Sequence, residues 1–255
     1  MYKTFRPHPL LAAYVDAYWI SEAAGSEQVR ILPDTCADII FNIGEDTIVM
    51  DELEENLAPG AAFVVGTMTT FQDVVSAPGT IMLGIRFKPG GLHAFTRVPM
   101  QLITDQHLML PVMEATWQQQ LAFLPGRNTT LPEKINKIEH FLLERLPVTG
   151  AVAGSIQHGL SLITRQKGNI AVATLGEQTY MSQRSFERHF LQAVGISPKT
   201  FARIVRFINI RRQLKAGVGE RFLSLALDNG YYDHAHLTRE FREFSGESPR
   251  SYQQR

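Results

Sequence analysis

The sequence predicts an α+β chain in two parts. Residues 1–150 read as an amino-terminal small β-sandwich or barrel with helices, and residues 151–255 as an all-α double helix-turn-helix domain. Three observations predict this. One structural unit is repeated in the second half, short apolar runs separated by Gly, Pro, Asn and Asp fill the first, and charge is divided unequally between the two.

The unequal charge lies beneath a formal net charge of zero over 255 residues. Residues 151–255 hold 15 Lys and Arg against 8 Asp and Glu, a balance of +7. That leaves 10 basic and 17 acidic residues, −7, for residues 1–150. An acidic half followed by a basic half directs any polyanion to the second. Hydrophobic residues make up 44% and charged residues 20%, as in globular chains. Cys36 is the single cysteine, so neither a disulfide framework nor a cysteine-based zinc cluster is expected. No run approaches 18 uninterrupted apolar residues and the amino terminus has no secretory pattern. The expectation is a cytoplasmic chain with no membrane partner.

In the first half, strands are expected at Tyr14–Ile20, Ala37–Asn42, Thr47–Met50, Ala62–Gly66, Asp73–Ser76 and Ile81–Phe87. Amphipathic helices follow at about Pro111–Leu124 and Pro132–Leu146, and Pro147–Ser155, rich in Gly and Ala, reads as the domain junction. His8, His93, His107 and His140 form no His-x-His pair and no strand-spaced cluster, so no metal and no cofactor are expected. Asp34 and Asp38 flank Cys36, which reads either as a reactive thiol or as a turn aspartate beside a small buried cysteine. Arg86, on an otherwise apolar strand, is a candidate anion-binding residue or half of a buried ion pair.

The repeat lies in the basic half. Ser182-Gln-Arg-Ser-Phe186-Glu-Arg188-His-Phe190, Gly195 and Ser197-Pro198-Lys-Thr-Phe201 are matched 51 residues later by Asp233-His-Ala-His-Leu237-Thr-Arg239-Glu-Phe241, Gly246 and Ser248-Pro249-Arg-Ser-Tyr252. Ser182 and Asp233 are helix caps, whose oxygens accept from free first-turn amides. Phe186 with Phe190, and Leu237 with Phe241, stand four apart and form one apolar stripe per helix. Gly195 and Gly246 suit the left-handed residue that ends a helix, and each Ser-Pro opens the next. Preceding helices at Ile170–Gln178 and Phe222–Asn229 complete two helix-turn-helix units, and Ser197–Ala216 reads as one long helix between them.

With the stripes turned inward, Gln183, Arg184, Glu187 and Arg188 face outward on the first second-helix. His234, Ala235, Thr238 and Arg239 do so on the other, with His236 on its flank. These residue types read base edges: arginine bonds bidentately to guanine, glutamate accepts from cytosine, and an alanine or threonine methyl meets that of thymine. Arg188 and Arg239 are equally suited to phosphate. Further phosphate contacts are expected from amides after Ser182, Asp233 and Ser197, and from Arg203 and Arg206.

Residues 155–255 resemble the AraC family of bacterial transcription regulators, through Ala226, Gly230-Tyr231, Arg239, Phe241, Gly246, Ser248-Pro249 and Tyr252. The resemblance implies two helix-turn-helix units that place their recognition helices in successive major grooves. The family's base-reading positions fall on Arg184, Glu187 and Arg188, and on His234, Ala235, Thr238 and Arg239. Two positions depart from the pattern: Gly176 stands in place of a small alanine, and Tyr180 in place of the turn glycine. Leu32–Asn42 and Gly84–Gly91 resemble the family's cupin-like amino-terminal domain, which binds a small molecule, dimerises, or does both. The partners implied are double-stranded DNA, RNA polymerase, a small-molecule effector and a second copy of the chain. Two other classes remain: a DNA-repair enzyme with a cysteine alkyl acceptor, for which a single cysteine provides no zinc site, and an interaction scaffold whose units no longer bind DNA.

Overall fold

The computed structural model describes residues 1–255 apart from 51, 52, 54, 97, 122–128, 148–150, 218–221 and 255. Among the described residues, the amino-terminal part holds eight strands: β1 (Tyr2–Phe5), β2 (Val15–Glu22), β3 (Glu27–Ile31), β4 (Ala37–Asn42), β5 (Ala62–Val65), β6 (Gln72–Ser76), β7 (Ile81–Phe87) and β8 (His107–Met109). Six of them form an antiparallel sheet in the order β1-β2-β7-β4-β5-β8, and β3 pairs with β6 as a separate two-stranded ribbon.

Alternation along the strands divides the sheet into two faces. Tyr18, Ile39, Phe41, Leu83, Ile85 and Phe87 enter a core that is closed by α1 (Leu110–Met113), α2 (Ala115–Gln120) and α3 (Leu131–Leu143). Trp19, Asp38, Gly84 and Arg86 lie on the other face, where β4 pairs Asp38 with Arg86 and β2 pairs Trp19 with Gly84. A side chain at 84 would collide with the Trp19 indole, so glycine there opens its place.

Several sequence expectations need correction. Thr47–Met50 forms no strand, only an isolated bridge from Ile48 to Leu57. The strands β1, β3 and β8 are further elements: β1 and β8 carry no apolar alternation, and β3 alternates over only Val29 and Ile31, both exposed. The helix expected at Pro111–Leu124 is broken at Glu114, where the backbone is non-helical (φ −145°, ψ 87°) and the carboxylate accepts from Thr96 Oγ1 at 2.5 Å. Its last three residues, 122–124, lie outside the described residues. A helix, α4 (Ala151–Arg165), begins inside the stretch expected to be the junction and buries Ile156, Leu160 and Ile163.

The rest of the chain is helical: α5 (Val172–Gln178), α6 (Gln183–Val194), α7 (Pro198–Lys215), α8 (Phe222–Asp228), α9 (His234–Ser245) and α10 (Pro249–Gln253). The helix α7 supports both units. Phe201 near its start meets Phe190 of α6 with ring centres 5.5 Å apart, and Phe207 meets Phe241 and Phe244 of α9 at 5.0 and 5.3 Å. Gly159 of α4 admits the Phe186 ring, where a Cβ would stand 2.5 Å from it.

Candidate nucleic-acid interface

The helix α6 starts where Ser182 Oγ accepts from the Ser185 amide at 3.3 Å, and it ends on Gly195 at φ +90°. Phe186, Phe190 and Val194 are buried, which turns Gln183, Arg184 and Arg188 to solvent. Glu187, half-buried, accepts from Gln183 Nε2 at 2.8 Å. The outward face is thus a pair of exposed arginines beside a hydrogen-bonded Gln–Glu pair one helical turn apart.

The helix α9 repeats the plan. Asp233 Oδ1 accepts from the His236 amide at 2.7 Å, and the helix closes on Gly246 at φ +77°. Leu237, Phe241 and Phe244 are buried, while His234, Ala235 and Arg239 are exposed. Thr238 Oγ1 meets His234 Nε2 at 3.5 Å. His236 turns away from this group. Its ring packs edge-on against buried Tyr231 at 5.2 Å, and its Nδ1 lies 3.4 Å from the Tyr232 amide.

The turns leading into α6 and α9 share a geometry although their sequences differ. Tyr180 holds φ +57° and Gly230 φ +76°, and the amides that follow, of Met181 and Tyr231, close on Gly176 and Ala226 carbonyls at 2.9 and 3.0 Å. A Cβ at 176 would lie 2.9 Å from Met181 O and 3.0 Å from Gln183 N, so an alanine there, as at Ala226, needs the turn to shift slightly.

Arg203 and Arg206, expected among the phosphate ligands, are held in ion pairs with α9. Arg203 Nε and Nη2 donate to Glu240 Oε2 at 2.7 Å and Glu243 Oε2 at 2.6 Å, and Arg206 Nη2 stands 3.6 Å from Glu240. Glu240 is 4% exposed. A carboxylate buried on α9 is tolerated only with cations beside it, and α7 supplies them.

In the amino-terminal part, Arg86 is engaged by two carboxylates. It is ion-paired with Asp34, and its Nη1 lies 3.4 Å from Asp38 Oδ2. Asp38 also accepts from Trp19 Nε1 at 2.8 Å. Burial pushes its carboxyl up to about 7, against the Trp19 hydrogen bond. Asp34 Oδ1 accepts from the Cys36 amide at 3.1 Å, the turn arrangement, and burial pushes the Cys36 thiol up, away from a reactive thiolate. Among the described residues no three His, Cys, Asp or Glu side chains stand together as a metal-holding group, and no helix is long and apolar enough to cross a membrane.

Residues that the sequence did not mark are Arg30, Thr67 and Thr104, which reach the carboxy-terminal ends of α6 and α9. They bond to main-chain carbonyls, so no complementary side chain signals them.

Two capped helices on one long supporting helix, each with a polar and basic face left open, define a pair of helix-turn-helix units. Residues 175–255 match the family model described as a helix-turn-helix domain. Residues 3–109 match a domain of unknown function, DUF6597. The carboxy-terminal residues 175–255 are therefore a helix-turn-helix domain.

No curated protein matches the chain. Among solved structures it is similar to a transcriptional regulator with an AraC-type DNA-binding domain from Chromobacterium violaceum, at 19% identity and a TM-score of 0.37, over 40% of this chain and 90% of that one. It is also similar to the C-terminal domain of AraT, a response regulator from Geobacillus stearothermophilus, at 17% identity and a TM-score of 0.38, over 41% and 88%. ToxT from Vibrio cholerae, with an unsaturated fatty acid bound, is similar over 92% of this chain and 93% of its own, at 11% identity and a TM-score of 0.46.

Proposed function

We propose that α6 and α9 enter successive major grooves and read a site of roughly 15–20 base pairs. Arg184, Glu187 and Arg188 contact bases in one groove, and His234, Ala235, Thr238 and Arg239 in the next. Gln183 orients Glu187, and His236 holds the turn before α9. One observation carries this reading: two helices with equivalent caps and buried stripes expose polar faces at the same repeat positions.

In this reading residues 151–255 are the DNA-binding domain, and residues 1–150 a sensor or dimerisation domain. The protein is a regulator without catalytic activity of its own, working beside RNA polymerase. A small-molecule effector has space between the two parts, in an apolar cavity of about 680 Å³ bounded by Tyr14, His93, Ile156, Gln157 and His189.

Selection of bound sequences from random duplex DNA by the full-length protein tests the reading. The expected result is one motif in two blocks about a helical turn apart, with affinity that falls steeply as salt rises. No enrichment by folded protein would remove the regulator reading and favour the interaction scaffold.

A further inference from the structure

The last carbonyls of an α-helix have no partner within it, and the two recognition helices resolve this in the same way. Val194 of α6 and Ser245 of α9 occupy one repeat position, each followed by its left-handed glycine. Both of their carbonyls are taken by side chains of the amino-terminal part. Thr67 Oγ1 donates to Val194 O at 2.8 Å, and Arg30 Nη1 to Ser245 O at 3.2 Å. Thr104 Oγ1 adds a bond to Gly195 O at 2.7 Å, and Thr70 Oγ1 one to Glu243 O at 3.5 Å. The glycines are covered by the same groups. A Cβ on Gly195 would lie 2.7 Å from Thr104 Oγ1, and one on Gly246 2.7 Å from Arg30 Nη1 and 2.8 Å from the Phe71 ring.

Thr67, Thr70 and Phe71 belong to a single loop, residues 66–71, between β5 and β6. Its conformation is built in. The Asp105 carboxylate accepts from the Thr69 amide and hydroxyl at 2.6 and 2.5 Å, and the Asp105 amide donates to Thr67 O at 3.1 Å. Arg30 is held as firmly, bidentate to Asp73 at 2.7 and 2.6 Å with its guanidinium 4.3 Å over Phe71. Chain from Thr67 to Phe71 spans at most about 14 Å even when fully extended. One short, fixed loop therefore touches the ends of both recognition helices.

Inside the helical part the units are joined by α7 and by Asn169, which sits against Gly230. We propose that loop 66–71, with Arg30 and Thr104 beside it, is a brace that sets the separation of α6 and α9. It thereby restricts the chain to DNA whose two blocks lie at one spacing. This last consequence rests on the reading of α6 and α9 as recognition helices; the brace itself does not. A brace needs both ends, so releasing either frees the pair and releasing both adds little.

Spin labels at Arg184→Cys and Ala235→Cys, equivalent positions on the two helices, measure the separation in the full-length protein with Cys36→Ala. Thr67→Val with Thr104→Val frees the α6 end, and Arg30→Met frees the α9 end. Circular dichroism and thermal melts establish that each variant is folded. The inter-label distance distribution should be narrow in the parent and broader or displaced in either released variant, with no further change when both are combined. Unlabelled released proteins should also bind duplexes whose blocks are moved one base pair nearer or farther, which the parent rejects. Unchanged distance distributions in both released variants would overturn the brace. A parent that binds no DNA, with distributions that do respond, would instead overturn the recognition-helix reading and leave the brace standing.

Discussion

Tyr180 and Gly230 hold the same left-handed backbone conformation at the same place in two turns, at φ +57° and +76°. Glycine takes it freely, whereas a side chain brings Cβ against the following carbonyl at a cost of about 1–2 kcal/mol. The Tyr180 ring recovers little of this, because the residue is 96% exposed. Tyr180→Gly is therefore expected to stabilise the chain by about 1 kcal/mol, read as a raised urea midpoint with an unchanged slope. A fall in midpoint would mean that the ring makes contacts that outweigh the strain.

Arg203 and Glu240 tie the long helix to the second recognition helix at 2.7 Å. Arg203→Met leaves buried Glu240 with Arg206 at 3.6 Å as its remaining cation. Complete loss of a partner for a buried charge costs about 3–5 kcal/mol, and Arg203 is partly exposed, so about 2 kcal/mol is expected. The loss should persist at high salt, because a buried pair is poorly screened. If it vanishes in 0.5 M salt (roughly a 4 Å screening length), the pair behaves as a surface one.

Asp38 predicts a pH dependence of stability. Two carboxylates, those of Asp34 and Asp38, share the single Arg86 guanidinium, and burial raises the deeper acid, Asp38, from 3.8 to about 7. Between those values the folded chain keeps a proton that the unfolded chain has released, so stability falls as pH rises. The contribution from Asp38 is greatest below pH 4, declines by roughly 4 kcal/mol up to pH 7, and is level above. Asp38→Asn keeps an acceptor for Trp19 and should remove this slope, which urea unfolding between pH 4.5 and 8 measures on an order of a few kcal/mol. Parallel profiles for parent and variant would assign the carboxylate an ordinary acidity.

Arg188 and Arg239 stand exposed, each nearly two turns beyond its cap. Replacing either by Ala is expected to weaken binding to the selected site by about 1–3 kcal/mol and to relax preference at one base position. Quantitative binding to the site and its single-base variants measures both effects. An equal loss on every sequence, with a salt slope reduced by about one, would mark the residue as a phosphate ligand.

By itself the sequence determined the features whose physics is local. Ser182 and Asp233 as caps, Gly195 and Gly246 as stops, and the four-residue spacing of Phe186 with Phe190 and Leu237 with Phe241 each act within one helical turn. Their recurrence at a fixed interval makes both units legible, and the strands with buried alternation, such as Ile81–Phe87, are legible for the same reason. The edge strands Tyr2–Phe5 and His107–Met109 left no such pattern, because most of their residues remain exposed or half-buried.

Tertiary structure decided what depends on neighbours remote in sequence. Arg203 and Arg206 are as basic as Arg184 and Arg188, and only the approach of Glu240 from another helix diverts them from the surface. Arg86 became half of an ion pair because β4 sets Asp38 opposite it. The contacts of Arg30 and Thr67 end on main-chain oxygens 215 and 127 residues away. Every residue carries such an oxygen, so a contact of this kind leaves no trace in side-chain identity, and only the folded chain reveals which helix ends it joins.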